Sequence, residues 1–163
     1  MKTLYLVRHA KSAWDDPMIP DEKRPLMDVG IDRANKIIRH LKAKMILPDL
    51  MITSQTIRTR ETARLFALGL GYPVEKIKIE RLIYDDFFNK ILEMICSTPD
   101  EVDSLMVFGH NPSMTQITNM FIRPGIDLMP TTGVSCMKFN TDSWETIRTA
   151  RVADSFIVVP KML

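Results

Sequence analysis

Cysteine is scarce in this chain of 163 residues: Cys96 and Cys136 stand alone, with no CxxC pair and no Cys/His cluster around them. That excludes a disulfide scaffold and argues against a metal site, leaving two reduced, buried thiols as the plain reading. Long apolar runs are missing as well. No stretch approaches the roughly 18 to 20 residues that span a bilayer, and Met1-Lys2-Thr3 leads into a strand rather than into the apolar part of a signal peptide. The expected location is cytoplasmic, with no membrane partner. Nor is one sign of charge in excess: 22 Lys+Arg against 20 Asp+Glu give +2, too little to imply a nucleic-acid partner. Internal repeats, low-complexity tracts and linkers are also absent. Residues 1–163 therefore read as one domain, long enough to bury a core without cross-links.

What is present begins with Leu4-Tyr5-Leu6-Val7, four apolar residues that read as a strand covered on both faces. Arg8 and His9 fall where it runs out. In open α/β sheets ligands bind beyond the carboxyl ends of the strands, so this placement points both side chains at a site. Leu50-Met51-Ile52-Thr53 and Leu105-Met106-Val107-Phe108 read as two further buried strands. The first is followed by Ser54, with Arg58 in the opening turn of the next helix; the second runs straight into Gly109-His110-Asn111-Pro112.

Helical spacing fills the intervals. Asp28 reads as an N-cap, followed by Ile31, Ala34, Ile37, Ile38, Leu41 and Met45 up to about Lys44. Residues 55–70 place Ala63, Phe66, Ala67 and Leu70 on one side before a Gly69/Gly71 stop. Asp85 or Asp86 reads as the cap of a helix carrying Phe87, Phe88, Ile91, Leu92 and Ile95, and Pro112 suits the first turn of one carrying Met114, Ile117, Thr118 and Phe121. Residues 13–25, rich in proline and charge, read as an ordered surface loop, and 74–79 as a half-exposed edge strand. Residues 134–139 and 144–151 read as a hairpin around Asn140-Thr141-Asp142-Ser143. The sum is an α/β protein: a three-layer α/β/α sandwich whose central sheet is mostly parallel, with a terminal hairpin adding antiparallel character.

Three strand ends thus deliver Arg8 with His9, then Arg58, then His110. If they converge, two guanidiniums clamp phosphate oxygens by charge-assisted hydrogen bonds. A neutral His9 is then a nucleophile toward phosphorus, phosphorylated and afterwards freed by water, while His110 donates to one more oxygen. His40 lies between Arg39 and Lys42 on a helix and reads as solvated. The methionines, Met45, Met51, Met94, Met106, Met114 and Met120 among them, read as interior packing. Lys23-Arg24 and the arginines from Arg58 to Arg64 read as solvated faces, with a basic rim for an acidic protein as the alternative.

Residues 6–14 (Leu-Val-Arg-His-Ala-Lys-Ser-Ala-Trp), 54–63 (Ser-Gln-Thr-Ile-Arg-Thr-Arg-Glu-Thr-Ala) and Gly109-His110-Asn111-Pro112 together resemble the histidine phosphatase, or phosphoglycerate-mutase-like, superfamily. Asp21-Glu22-Lys23-Arg24-Pro25-Leu26 with Gly30 resembles the small phosphohistidine phosphatases of the SixA type. The resemblance implies a phosphoglycerate-mutase-like fold, His9 as nucleophile, and Arg8, Arg58 and His110 as the phosphate pocket, with no cofactor. The usual Arg-His-Gly is Arg8-His9-Ala10 here. Asp15 stands where many mutase-like members have Asn, and reads as a proton donor, a substrate-orienting group or a loop charge. Lys11 is a candidate substrate contact and a counter-charge for Asp15. For the general acid only Asp85 or Asp86 stands near the family's position, and helix capping is their alternative role.

An imidazole leaving from a phosphorylated histidine, with an unperturbed pKa of about 6.5, needs little protonation help, which favours a phosphohistidine substrate on a phosphoprotein. A small phosphorylated metabolite, turned over by a phosphatase or mutase, is the second reading. A phosphoprotein-binding module without turnover is the third. Oligomeric state is not legible in the sequence.

Overall fold

The computed structural model describes residues 1–14 and 16–163. Asp15, with the roles considered for it, lies outside the described residues. In chain order the elements are β1 (Lys2–Arg8), α1 (Asp28–Ala43), β2 (Leu50–Thr53), α2 (Ile57–Leu70), β3 (Lys78–Ile79), α3 (Phe88–Cys96), β4 (Ser104–Gly109), α4 (Ser113–Phe121), β5 (Val134–Phe139) and β6 (Val152–Val158). Short 3-10 turns at Asp21–Lys23, Val74–Lys76, Arg81–Ile83, Trp144–Thr146 and Pro160–Met162 join them.

The strands form one sheet in the order β3-β2-β4-β1-β5-β6. The pairings β3–β2, β2–β4 and β4–β1 are parallel, whereas β1–β5 and β5–β6 are antiparallel. Alternation of side chains along β1 builds both cores. Tyr5 and Val7 join Met51, Met106 and Phe108 against Ile37, Ile38 and Leu41 of α1 and Phe66 of α2. Leu4 and Leu6 join Ile52, Leu105 and Val107 against Ile91 and Ile95 of α3 and Ile117 of α4. The three-layer, mostly parallel α/β architecture follows from those two faces.

Several local expectations are corrected. Asp28 is the first residue of α1 rather than its cap; the cap position is Met27, which offers no side-chain acceptor. Met45 does not continue the apolar face: it turns into the left-handed region at φ 61° and is 90% exposed. The edge strand shrinks to Lys78–Ile79, because 74–76, after Pro73, tighten into a 3-10 turn. The hairpin partner begins at Val152, not Trp144. Trp144 is wholly buried, with its indole N–H donated to the Val102 carbonyl at 2.7 Å, so the chain must turn there before pairing. Neither Asp85 nor Asp86 caps α3. Asp86 serves α4 instead, accepting from the Ser113 N–H at 3.1 Å.

Gly71, at φ 93°, ends α2 in the left-handed conformation that glycine adopts at least cost. Gly30 matters for another reason. A Cβ there would collide with the main chain of Lys11, so the opening turn of α1 packs directly on the segment that follows β1.

Candidate active site

Sheet register brings the two histidines together. Arg8 on β1 stands opposite Gly109 on β4, so His9 and His110, one residue on, leave the same end of adjacent strands. Their ring centroids are 5.5 Å apart. On the other side of β4, Thr53 of β2 pairs with Phe108, and Ser54 follows. The Ser54 hydroxyl lies 2.8 Å from Nε2 of His110. Helix α2 starts immediately, its N-cap Thr56 accepting from the Thr59 N–H, which puts Arg58 in the first turn beside the histidines.

The His9 segment is fixed by its backbone. The His9 N–H donates to the Gly109 carbonyl at 3.1 Å, and the Ala10 N–H to the Thr62 hydroxyl at 2.9 Å. Thr62 in turn donates to the Arg58 carbonyl at 2.7 Å, tying the strand end to the first turn of α2. Ala10 is wholly buried in this arrangement. Nδ1 of His9 lies 2.8 Å from the Ala10 carbonyl. A carbonyl oxygen only accepts, so Nδ1 carries the proton and the lone pair of a neutral ring resides on Nε2.

Both arginines are held by their terminal nitrogens. Arg8 Nη1 donates to the Met129 carbonyl at 3.0 Å, and Arg58 donates from Nη1 and Nη2 to Asp21 at 2.6 and 3.0 Å. Their Nε–H groups are buried and have no partner among the described residues. Two unspent charged donors inside a protein are costly unless something binds them. Together with His9, His110, Lys11, Arg24 and Asp21, the two arginines line a recess of about 250 Å³.

Electrostatics keep both rings neutral. Burial is the main cause for His9, reinforced by Arg58, Arg8 and Arg24 and partly opposed by the Ala10 carbonyl; its pKa falls to about 4. Burial followed by Arg58 brings His110 to about 3. For Asp21, burial pushes upward, but hydrogen bonds from Tyr84, Arg58 and Arg24 outweigh it and hold the carboxyl at about 2. The recess is therefore cationic, with two neutral imidazoles in it.

Of the residues singled out in the sequence, Arg8, His9, Arg58, His110 and Lys11 meet at this recess. Asp85 is exposed and does not line it. Arg60 and Arg64 instead flank a separate hollow of about 350 Å³ between α2 and β3. Four contributors escaped the sequence reading: Ser54 beneath His110, Asp21 and Tyr84 at the mouth, and Arg24, read there only as part of a charged face. Arg24 reaches Ser12 at 2.7 Å and Asp21 at 3.0 Å and stacks 3.9 Å over Trp14. The Asp21–Leu26 motif was the available signal, but nothing local says that its carboxylate reaches Arg58. No group of three or more His, Cys, Asp or Glu side chains suited to a metal ion occurs among the described residues.

Comparison with known proteins gives consistent relatives. A model of the histidine phosphatase superfamily, branch 1, matches residues 4–83. An uncharacterized chloroplastic protein of Arabidopsis thaliana is 30% identical over 153 residues, covering 88% of this chain and 69% of that protein. An uncharacterized protein of Mycobacterium tuberculosis is 34% identical over 111 residues, covering 68% of this chain and 66% of its own length. Among solved structures, a candidate phosphohistidine phosphatase SixA from Agrobacterium tumefaciens superimposes with a TM-score of 0.79 at 25% identity, over 95% of this chain and 97% of that one. The protein histidine phosphatase SixA complexed with tungstate gives a TM-score of 0.82 at 16% identity over 98% of each chain.

Proposed function

Because this chain belongs to the histidine phosphatase superfamily, and is a phosphatase on that ground, we propose that it removes phosphoryl groups from histidine side chains of a protein through a phosphorylated His9. The observation that carries this reading is the pairing of His9, its lone pair set on Nε2, with two guanidiniums whose buried Nε–H donors have no partner among the described residues.

In the proposed reaction Arg8, Arg58 and His110 hold the phosphoryl oxygens. His9 Nε2 attacks phosphorus in line; the bond from phosphorus to the substrate nitrogen breaks, and the departing imidazole keeps the electron pair and takes a proton from solvent. Water then attacks phospho-His9, releasing inorganic phosphate and the neutral ring. The arginines neutralise charge on the transferring group, the work a cation would otherwise do, so the reaction needs no metal ion. Lys11 adds long-range attraction. A location in the cytoplasm belongs to the same reading; no helix among the described residues is long and apolar enough to cross a membrane.

Two features favour phosphohistidine over a phosphate ester. Among the described residues the only acidic side chain lining the recess, Asp21, is ionised and tied to two arginines, so it is a poor donor to an alcohol leaving group. An imidazole leaving group makes little demand for one. At about 250 Å³ the recess is also smaller than the roughly 300–1,000 Å³ of sites that enclose a whole ligand, and suits a group presented on a side chain.

The test is turnover of a phosphohistidine peptide, a sugar phosphate and an aryl phosphate by the wild type and His9→Ala, with and without a chelator. Peptide turnover that survives chelation and disappears in His9→Ala is expected. A preference for the sugar phosphate by orders of magnitude would replace the substrate, and saturable peptide binding without turnover would replace the reaction.

A further inference from the structure

Asp21 occupies an unusual place for a carboxylate: it stands at the mouth of a recess built to attract anions. Its Oδ2 accepts from Arg58 Nη2 at 3.0 Å and from the Tyr84 hydroxyl at 2.7 Å, and its Oδ1 accepts from Arg24 Nη1 at 3.0 Å. Its main-chain carbonyl accepts from Arg58 Nη1 at 2.6 Å. A guanidinium carries five N–H donors. Asp21 engages one on each terminal nitrogen of Arg58 and leaves Nε–H, which is buried and unpartnered among the described residues. One residue therefore fixes the plane and rotation of the guanidinium without using the Nε donor. Arg8 follows the same plan with a different acceptor, Nη1 going to the Met129 carbonyl and Nε remaining unspent.

Tyr84 completes the arrangement. It comes from the 3-10 turn after β3, packs edge-on to His110 with ring centroids 5.6 Å apart, and reaches across to Asp21 in the segment before α1. Its hydroxyl is kept protonated by the hydrogen bond to Asp21, by burial and by the Asp21 charge, so it acts as a donor.

We propose that Asp21 is a positioning residue for phosphoryl transfer: it aims Arg58 at the phosphoryl group by holding both terminal nitrogens of the guanidinium, steadies Arg24, and is itself braced by Tyr84. The idea rests on the recess being the phosphoryl site. It goes beyond that by assigning a task to a carboxylate that would otherwise only weaken anion binding. Removing its charge has two opposed effects on the bound substrate, relief of repulsion and loss of alignment, which largely offset in KM. Transition-state stabilisation, which depends on alignment, shows the loss.

The experiment compares wild type, Asp21→Asn, Tyr84→Phe and the double variant, measuring kcat and KM with the phosphohistidine peptide and the aryl phosphate. For Asp21→Asn, kcat falls on the order of 10- to 100-fold with both substrates and KM moves less than about threefold. Tyr84→Phe lowers kcat about threefold and adds nothing in the Asp21→Asn background, because it acts through Asp21. Unchanged kcat in Asp21→Asn, an effect confined to KM, or full additivity of the two substitutions overturns the proposal. Asp21 is half-exposed, so both proteins should fold, which a melting curve checks; should Asp21→Asn fail to fold, Tyr84→Phe alone decides by its effect on kcat against KM. If the wild type turned over no substrate, the phosphatase reading would fall. Affinity for orthovanadate, a five-coordinate mimic of the transferring group, still tests Asp21: it weakens in Asp21→Asn under this proposal, and equal or tighter binding overturns it.

Discussion

Acidification from pH 7 to pH 5 should leave His9 of the free protein almost entirely neutral. An imidazole with the ordinary pKa of about 6.5 goes from about 76% neutral at pH 7 to only about 3% at pH 5, roughly a 25-fold loss of nucleophile. His9 is 8% exposed and faces Arg58, Arg8 and Arg24, and its pKa lies at about 4. About 90% of the ring then remains neutral at pH 5. The ring Cε1–H signals of His9 and His110, followed by NMR from pH 8 downward, report this directly. Phosphate is omitted from that titration because a bound dianion would favour the imidazolium and raise both values; adding it should move both midpoints upward. A His9 midpoint near 6.5 without phosphate, or no response to phosphate, would show that the ring does not sit among those arginines. The same shift has a sign for stability. Between about pH 6.5 and pH 4 the unfolded chain binds more protons than the folded one, so these histidines make the fold less stable as the solution is acidified through that window.

Arg58→Lys keeps the charge but loses the planar fork and the Nε donor, and kcat/KM should drop about 10²- to 10³-fold, the range for deleting one transition-state donor; a loss under threefold would show that only charge matters there. Gly30→Ala sets a methyl against the Lys11 main chain and should cost about 1–3 kcal/mol in denaturant unfolding, with a lower kcat because the His9 segment shifts. Wild-type stability in that variant would mean that α1 and the loop adjust freely.

The strand ends were legible because the evidence for them is local. In 4–8, 50–53 and 105–108 a short apolar run is followed at once by polar chemistry, and strands of a parallel sheet share the end at which that chemistry emerges. The pairing of Arg8 with Gly109 was not legible, yet it sets the separation of the two histidines. Asp21, Ser54 and Tyr84 stayed hidden for a related reason. The contacts of Asp21 with Arg58 and Tyr84, and of Ser54 with His110, span 37, 63 and 56 residues, and nothing in the neighbouring sequence marks the partner. Asp86 misled because a carboxylate before an apolar helix resembles a cap, whereas the donor it found opens the next helix. In 144–151 the apolar residues Trp144 and Ile147 are three apart, which sends them to opposite faces of a strand but to one side of a 3-10 turn. The tight turn prevails, since both side chains are wholly enclosed there.

The central claim is that a phosphoryl group meets Nε2 of His9. Rapid quench of the wild type with phosphohistidine peptide, followed by alkaline digestion and mass spectrometry, measures it. An acid-labile, base-stable phosphate on His9, formed faster than turnover and absent in His9→Ala, is expected; steady turnover with no phosphoenzyme, or with the phosphate on another residue, contradicts it.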